Sequence, residues 1–205
     1  MSLEPNFELT DTTKVNRYGV TLRQIRAIKD IPRRGITKGD LGGWVEKLRH
    51  DSGGARVSGD AWVSGNAEVY GNAEVSGNAW VSGDAQVYGN ALVYGNARVS
   101  GDARVSGNAD IEKTWHYIVV SPIGSENVCA TIARTKGGGH QLTVGCWTDG
   151  SLGTLMKEVK LRRKVERKWT SASEVQQAQW MAEYAALKKL GKVTVTRWAE
   201  SEDAS

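Results

Sequence analysis

A mainly β fold is expected from this sequence: a parallel β-helix entered from an N-terminal β cap and followed by a small C-terminal α+β domain. Three observations predict it. Valine recurs every six residues from Val57 to Val105, with Ala two positions before it and Gly-Asn or Gly-Asp after it. Outward residues repeat at three times that interval, as Trp44, Trp62 and Trp80 do. After Ile111 the six-residue period stops, and strand and helix periods replace it.

The repeat reads ARVSGD, AWVSGN, AEVYGN and onward to ADIE, so Ala-x-Val-x is a short strand and the Gly-containing pair is a corner. Gly-Asn between short strands is also a hairpin signal. Parity separates the two readings. In a two-residue hairpin the residues flanking the turn share a face, which sends Val to opposite faces on successive strands and leaves no continuous apolar side. In a coil every Ala and Val points inward, while Ser, Tyr and the variable position point outward. Three flat sides per turn give an 18-residue coil. Trp44, Trp62 and Trp80 then stack on one side with Arg98 at the next step, and Tyr70 and Tyr88 share a second side.

The flanks are less regular. FELTD, the turn-like VNRYG and TLRQIRAIKDI read as short strands, with Pro32 and Gly35 ending the last. KGDLGGWVE leads into the coil in register, whereas Asp51 stands where Val is expected. The cap spans 1–43, covers an open β-helix end that would otherwise expose unpaired strand edges, and joins the β-helix of 44–112. Residues 113–198 form the α+β domain. WHYIVVSP, NVCATIART and HQLTVGCW read as strands, the last two joined through KGGG. A helix from about Leu152 to Lys168 puts Leu155, Met156 and Val159 on one face. A second helix starts at a Ser171/Glu174 capping box and stops at Gly191. It carries two stripes, Val175–Ala178–Ala182–Ala185 and Trp180–Tyr184–Leu187. KVTVTRW reads as a final strand, giving the order β-β-β-α-α-β, and 199–205 is an acidic, frayed tail.

Composition narrows the function classes. No apolar run is long enough to span a membrane, and MSLEPNFELT has neither the apolar core nor the cleavage site of a secretory signal. Two cysteines, Cys129 and Cys146, are too few for a disulfide framework, which points to a reducing cytoplasm. The net charge of +4 is mild. No metal site and no cofactor are expected.

The six-residue repeat resembles the hexapeptide of the bacterial transferase family. That resemblance implies a left-handed coil, and it implies a homo-oligomer, a trimer packed along the coil sides. It also raises an acyltransferase activity, which in that family relies on a His general base in or beside the coil. Residues 55–112 contain no His; His50 precedes them, and His116 and His140 follow. A degenerate acyltransferase is therefore the weakest reading. The KGDLGGW entry, the Gly-Asn-Ala rungs and the IGS…RTK…GCW…GTL segment resemble proteins of bacteriophages and prophages. This implies an accessory role in the host cytoplasm.

Two candidate surfaces follow. Trp44, Trp62, Trp80, Arg98, Tyr70 and Tyr88 form exposed strips suited to an interface or to stacking bases. Their bland reading is that the rings stack on one another. In the C-terminal domain Ser125, Arg134, Thr135, Lys136, Cys146, Trp147 and Thr154 lie among glycines near a helix start, where backbone N–H groups and the helix dipole favour an anion. The same glycines also serve as turn formers. The basic stretch Lys157–Lys168 offers contacts to phosphates, although a solvated helix face is the commoner use of such a run. The expected function is a non-catalytic phage or mobile-element binding protein that engages a host protein or sequesters a small anionic, nucleotide-like ligand, for example in counter-defence. A structural virion or assembly role is the alternative.

Overall fold

In the structure, a computed structural model, residues 6–16, 19–32, 35–46 and 55–203 are described, with the backbone alone for 149 and 199–203. Two compact units divide the chain, the first ending at Trp115 and the second beginning at His116.

The first unit is a β-solenoid. Its strands are shorter than the four residues expected, each holding two: β4 (Arg56–Val57), β5 (Trp62–Val63), β6 (Glu68–Val69), β7 (Glu74–Val75), β8 (Trp80–Val81), β9 (Gln86–Val87), β10 (Leu92–Val93), β11 (Arg98–Val99), β12 (Arg104–Val105) and β13 (Asp110–Ile111). From β4 to β10 each pairs in parallel with the strand 18 residues on, as Trp62 does with Trp80 and Glu74 with Leu92. Three sheets result, giving a coil of about three turns with three sides. Ala and Val fill its interior, from Ala55 to Ile111, and from Val75 onward the inward Val side chains are almost wholly enclosed. Two positions differ from the inward–outward scheme: Val69 is only half-buried, and Ser106 is buried.

Glycine at the corners has a steric cause. Gly89 has φ +71°, and a Cβ there would meet the Gly107 nitrogen at 2.8 Å. The close approach lets corner backbones bond from turn to turn, the Asn72 N–H donating to the Gly89 carbonyl at 2.8 Å. Asn66 adds a side-chain rung by donating to Asp84 Oδ1 at 3.1 Å.

Ahead of the coil, β1 (Phe7–Val15) pairs antiparallel with β2 (Thr21–Ala27), and β2 with β3 (Leu41–Val45). β3 runs parallel to β5 with Trp44 opposite Trp62, so this sheet continues one side of the solenoid. The VNRYG turn is described in part: the Asn16 side chain accepts the Val20 N–H at 3.0 Å, while residues 17–18 lie outside the described residues. β2 ends at Ala27, earlier than Pro32; beyond it Ile31 and Ile36 exchange backbone bonds in a separate turn. Asp51 also lies outside the described residues.

The second unit carries an antiparallel sheet of four strands where three were expected: β14 (Tyr117–Ile123), β15 (Val128–Arg134), β16 (His140–Val144) and β17 (Trp147–Gly150). HQLTVGCW is split because Gly145, at φ +55°, turns the chain between β16 and β17. The KGGG hairpin forms as read, with Arg134 opposite His140.

The helices depart further from expectation. α1 covers only Leu155–Val165, because Glu166 is extended at ψ 129° and a short α2 (Arg167–Ser171) follows. Leu155 and Val159 are buried, as the helical face requires, with Met156 packed beside them. α3 runs unbroken over Glu174–Asp203. Its capping box lies two residues later than read: the Ser173 hydroxyl accepts the Gln176 N–H at 3.3 Å, and Gln176 Oε1 accepts the Ser173 N–H at 3.1 Å. KVTVTRW is helix rather than strand, so the order is four strands followed by three helices. Continuing the buried row Tyr184, Leu187, Gly191 helically encloses Trp198, and that burial outweighs the β preference of Val and Thr. The hydroxyls of Thr194 and Thr196 donate to the carbonyls four residues back at 3.1 Å each. Backbone helix also takes in the start of the acidic tail, up to Asp203.

Candidate functional site

On the solenoid, the sequence-predicted aromatic strips are built by rung pairing. Trp62 and Trp80 stack with centroids 4.7 Å apart, and the Arg98 guanidinium lies 4.7 Å from the Trp80 ring. Lys14, on β1, places its ammonium 5.4 Å from the Trp44 centroid and 5.2 Å from that of Trp62, and it pairs with Asp60 at 3.3 Å. Tyr70 and Tyr88 stack on another side at 5.0 Å with planes 1° apart. Burial, and secondarily the neighbouring Tyr88, raises the Tyr70 phenol above its ordinary value. The Trp62 and Trp80 faces therefore cover one another or face cations. A base entering between Trp62 and Trp80 has no open face to stack on.

The second unit distributes its seven predicted residues over separate places. Ser125 lies in the β14–β15 turn, and Arg134, Thr135 and Lys136 lie at the far end of β15. The seven residues of β15 alone put about 20 Å between the two groups, so no small ligand reaches both. The helix-start anion site is also taken internally. Thr154 N–H and Leu155 N–H donate to the Ser151 carbonyl at 3.1 and 3.0 Å, and Leu152 N–H donates to His140 Nε2 at 3.0 Å.

Two concavities do form. A cavity of about 60 Å³ is lined by Ser125, Cys146 and Trp147 with the buried Trp169 and Tyr184. Its one guanidinium, Arg162, is held by Glu158 at 2.9 Å and Glu166 at 3.1 Å. Burial opposes the charge of Arg162, but the bonds to Glu158 and Cys146 outweigh it and raise its pKa. Two carboxylates on one guanidinium leave the cavity unfavourable to an anion.

On the other side of Trp147 lies an open groove of about 500 Å³, lined by Trp147, Gly150, Thr154, Lys157, Glu158, Lys160, Leu161 and Lys164. β17 supplies its aromatic wall. Gly150 makes room for it, since a Cβ there would meet the Trp147 ring at 2.5 Å. α1 supplies the charge: Lys157, Lys160 and Lys164 follow the three-and-four spacing of one helical face, with Leu161 among them. Glu158 is committed to Arg162, so three exposed ammonium groups face the groove. Sequence reading placed Trp147 and Thr154 in a candidate ligand site but treated the lysines as part of an undivided basic run. Their spacing was the available signal.

Part of the solenoid is similar to a known repeat. A family model described as YdcK Beta solenoid repeat matches residues 85–101 and 97–109. Those rungs are similar to that repeat over a small part of the chain. No curated protein and no solved structure matches it. Among the described residues, no helix is long and apolar enough to cross a membrane, and no three His, Cys, Asp or Glu side chains converge as a metal site.

Proposed function

We propose that this is a non-catalytic binding protein that holds a small anionic ligand carrying a flat ring, of the nucleotide class, in the groove between β17 and α1. The observation that carries the reading is the pairing of the half-buried Trp147 ring with Lys157, Lys160 and Lys164 along one groove. An aromatic face accepts a base at little entropic cost, and ammonium groups on one helix face take phosphate oxygens as point charges. The solenoid then serves as a rigid mount. Its rungs from 55 to 112 contain no His to act as general base, which supports the non-catalytic side of the proposal. The hexapeptide resemblance supports a left-handed sense for the coil, and the continuation of one solenoid sheet into β3, β2 and β1 supports residues 1–43 as its cap. The phage-like motifs support an accessory role in a host cytoplasm.

Calorimetry with mononucleotides, cyclic nucleotides and inorganic pyrophosphate tests this. A nucleotide should bind more tightly than pyrophosphate, and added salt should weaken it. Trp147→Ala and Lys160→Glu should each cost about tenfold or more in affinity, the scale of one lost stacking or charge contact. Absence of binding by every nucleotide, or binding indifferent to Lys160→Glu, would sink the proposal.

A further inference from the structure

α3 carries two opposite faces. Tyr184, Leu187, Gly191 and Trp198 are buried on one. At 100° per residue, Val175, Ala182, Ala186 and Val193 fall within about 20° of the line opposite Tyr184, Gln179 and Lys189 lie about 40° to either side of it, and Ala178 and Leu190 about 60°. The six apolar residues are exposed, Val175 at 78%, Val193 at 66% and Leu190 at 49%. An apolar seam over that length is more than scattered surface hydrophobics.

Its layout is self-complementary. Counted from Tyr184, Val175 and Val193 lie at equal distances on either side, as do Ala178 and Leu190, and Ala182 and Ala186. A two-fold axis at Tyr184 therefore sets Val175 against Val193 and Ala182 against Ala186 of an antiparallel copy, with Ala178 and Leu190 level with each other on opposite flanks. An isologous interface requires this exchange. The alanines at the centre let the helices approach closely, and the larger side chains close the two ends. Charge selects the same direction. Glu174 and Lys192 share one flank, so the antiparallel arrangement brings each near the other's opposite charge, and Lys189 faces Gln179. A parallel pair would oppose Lys189 to its own copy.

We infer that α3 pairs antiparallel with α3 of a second copy of this chain, about the position of Tyr184. The seam from Val175 to Val193 is about 27 Å long, which suits a concentration-dependent dimer.

Sedimentation of the full chain over a hundredfold concentration range tests the pairing. The expected result is a monomer–dimer equilibrium that Ala186→Glu shifts at least tenfold toward monomer, with an unchanged circular-dichroism spectrum. Direction is read by a short bis-maleimide cross-linker in a Cys129→Ser, Cys146→Ser background. Differently tagged Val175→Cys and Val193→Cys chains should cross-link to each other when mixed, and each alone should cross-link poorly, since each lies about 27 Å from its own copy. A monomer at all concentrations, a dimer or trimer insensitive to Ala186→Glu, or efficient linking of Val175→Cys to itself would each overturn the inference.

Discussion

His140 faces Arg134 across the β15–β16 hairpin and accepts the Leu152 N–H at 3.0 Å. That bond needs a neutral imidazole, and burial pushes the group below its ordinary 6.5. The unfolded chain therefore takes up this proton at a higher pH than the folded one. Stability from the group is present above about pH 6.5 and declines as pH falls toward the lowered folded pKa. The Tm of the second unit should accordingly drop between about pH 7.5 and pH 5. His140→Gln, which can accept the same bond without titrating, should flatten that drop. Equal pH slopes for the two proteins would show that His140 does not contribute.

At the scale of the element, α3 shows what the sequence concealed. Gly191 reads as a helix stop because glycine is the usual residue past a C-terminus. Here it lies inside the helix and is buried. A Cβ on it would meet Ile132 Cδ1 and Leu152 Cδ2, each at 2.6 Å, so glycine sets how closely α3 approaches β15. Alanine would improve helix propensity by about 1 kcal/mol, while overpacking costs about 1–3 kcal/mol. Packing is expected to win, so Gly191→Ala should lower the Tm of the second unit; a rise would restore the helix-stop reading. Trp198 and the Val-Thr alternation were illegible for the same reason, because tertiary burial decided them. Local chemistry was read better. The KGGG hairpin and the α1 core face of Leu155 and Val159 follow from short-range pattern, whereas the three groove lysines acquire meaning only once Trp147 is placed beside them. The solenoid lies at the legible extreme, since each rung repeats one backbone solution with a corner glycine at positive φ.

Over the whole molecule, the two units have separate cores. Ala and Val fill the solenoid, while Ile132, Leu142, Leu155, Trp169, Leu187 and Trp198 belong to the core of the second unit. Each turn of the coil bonds to the turns before and after it, so solenoid stability is a sum of neighbour terms. Val87 is fully enclosed between Val69 and Val105, its partners in the sheet. Val87→Ala removes two methyl groups' worth of burial and leaves a narrow coil little freedom to collapse, a cost of about 2 kcal/mol. For a unit of this size that is a Tm loss of roughly 10 °C. Because the deleted contacts lie wholly within the first core, thermal unfolding followed by tryptophan emission and by calorimetry should show the loss in one transition. The transition that responds to His140 and Gly191 substitutions should stay in place. If Val87→Ala moves every transition together by the same amount, the two cores unfold as one cooperative body and the division at Trp115 has no energetic meaning.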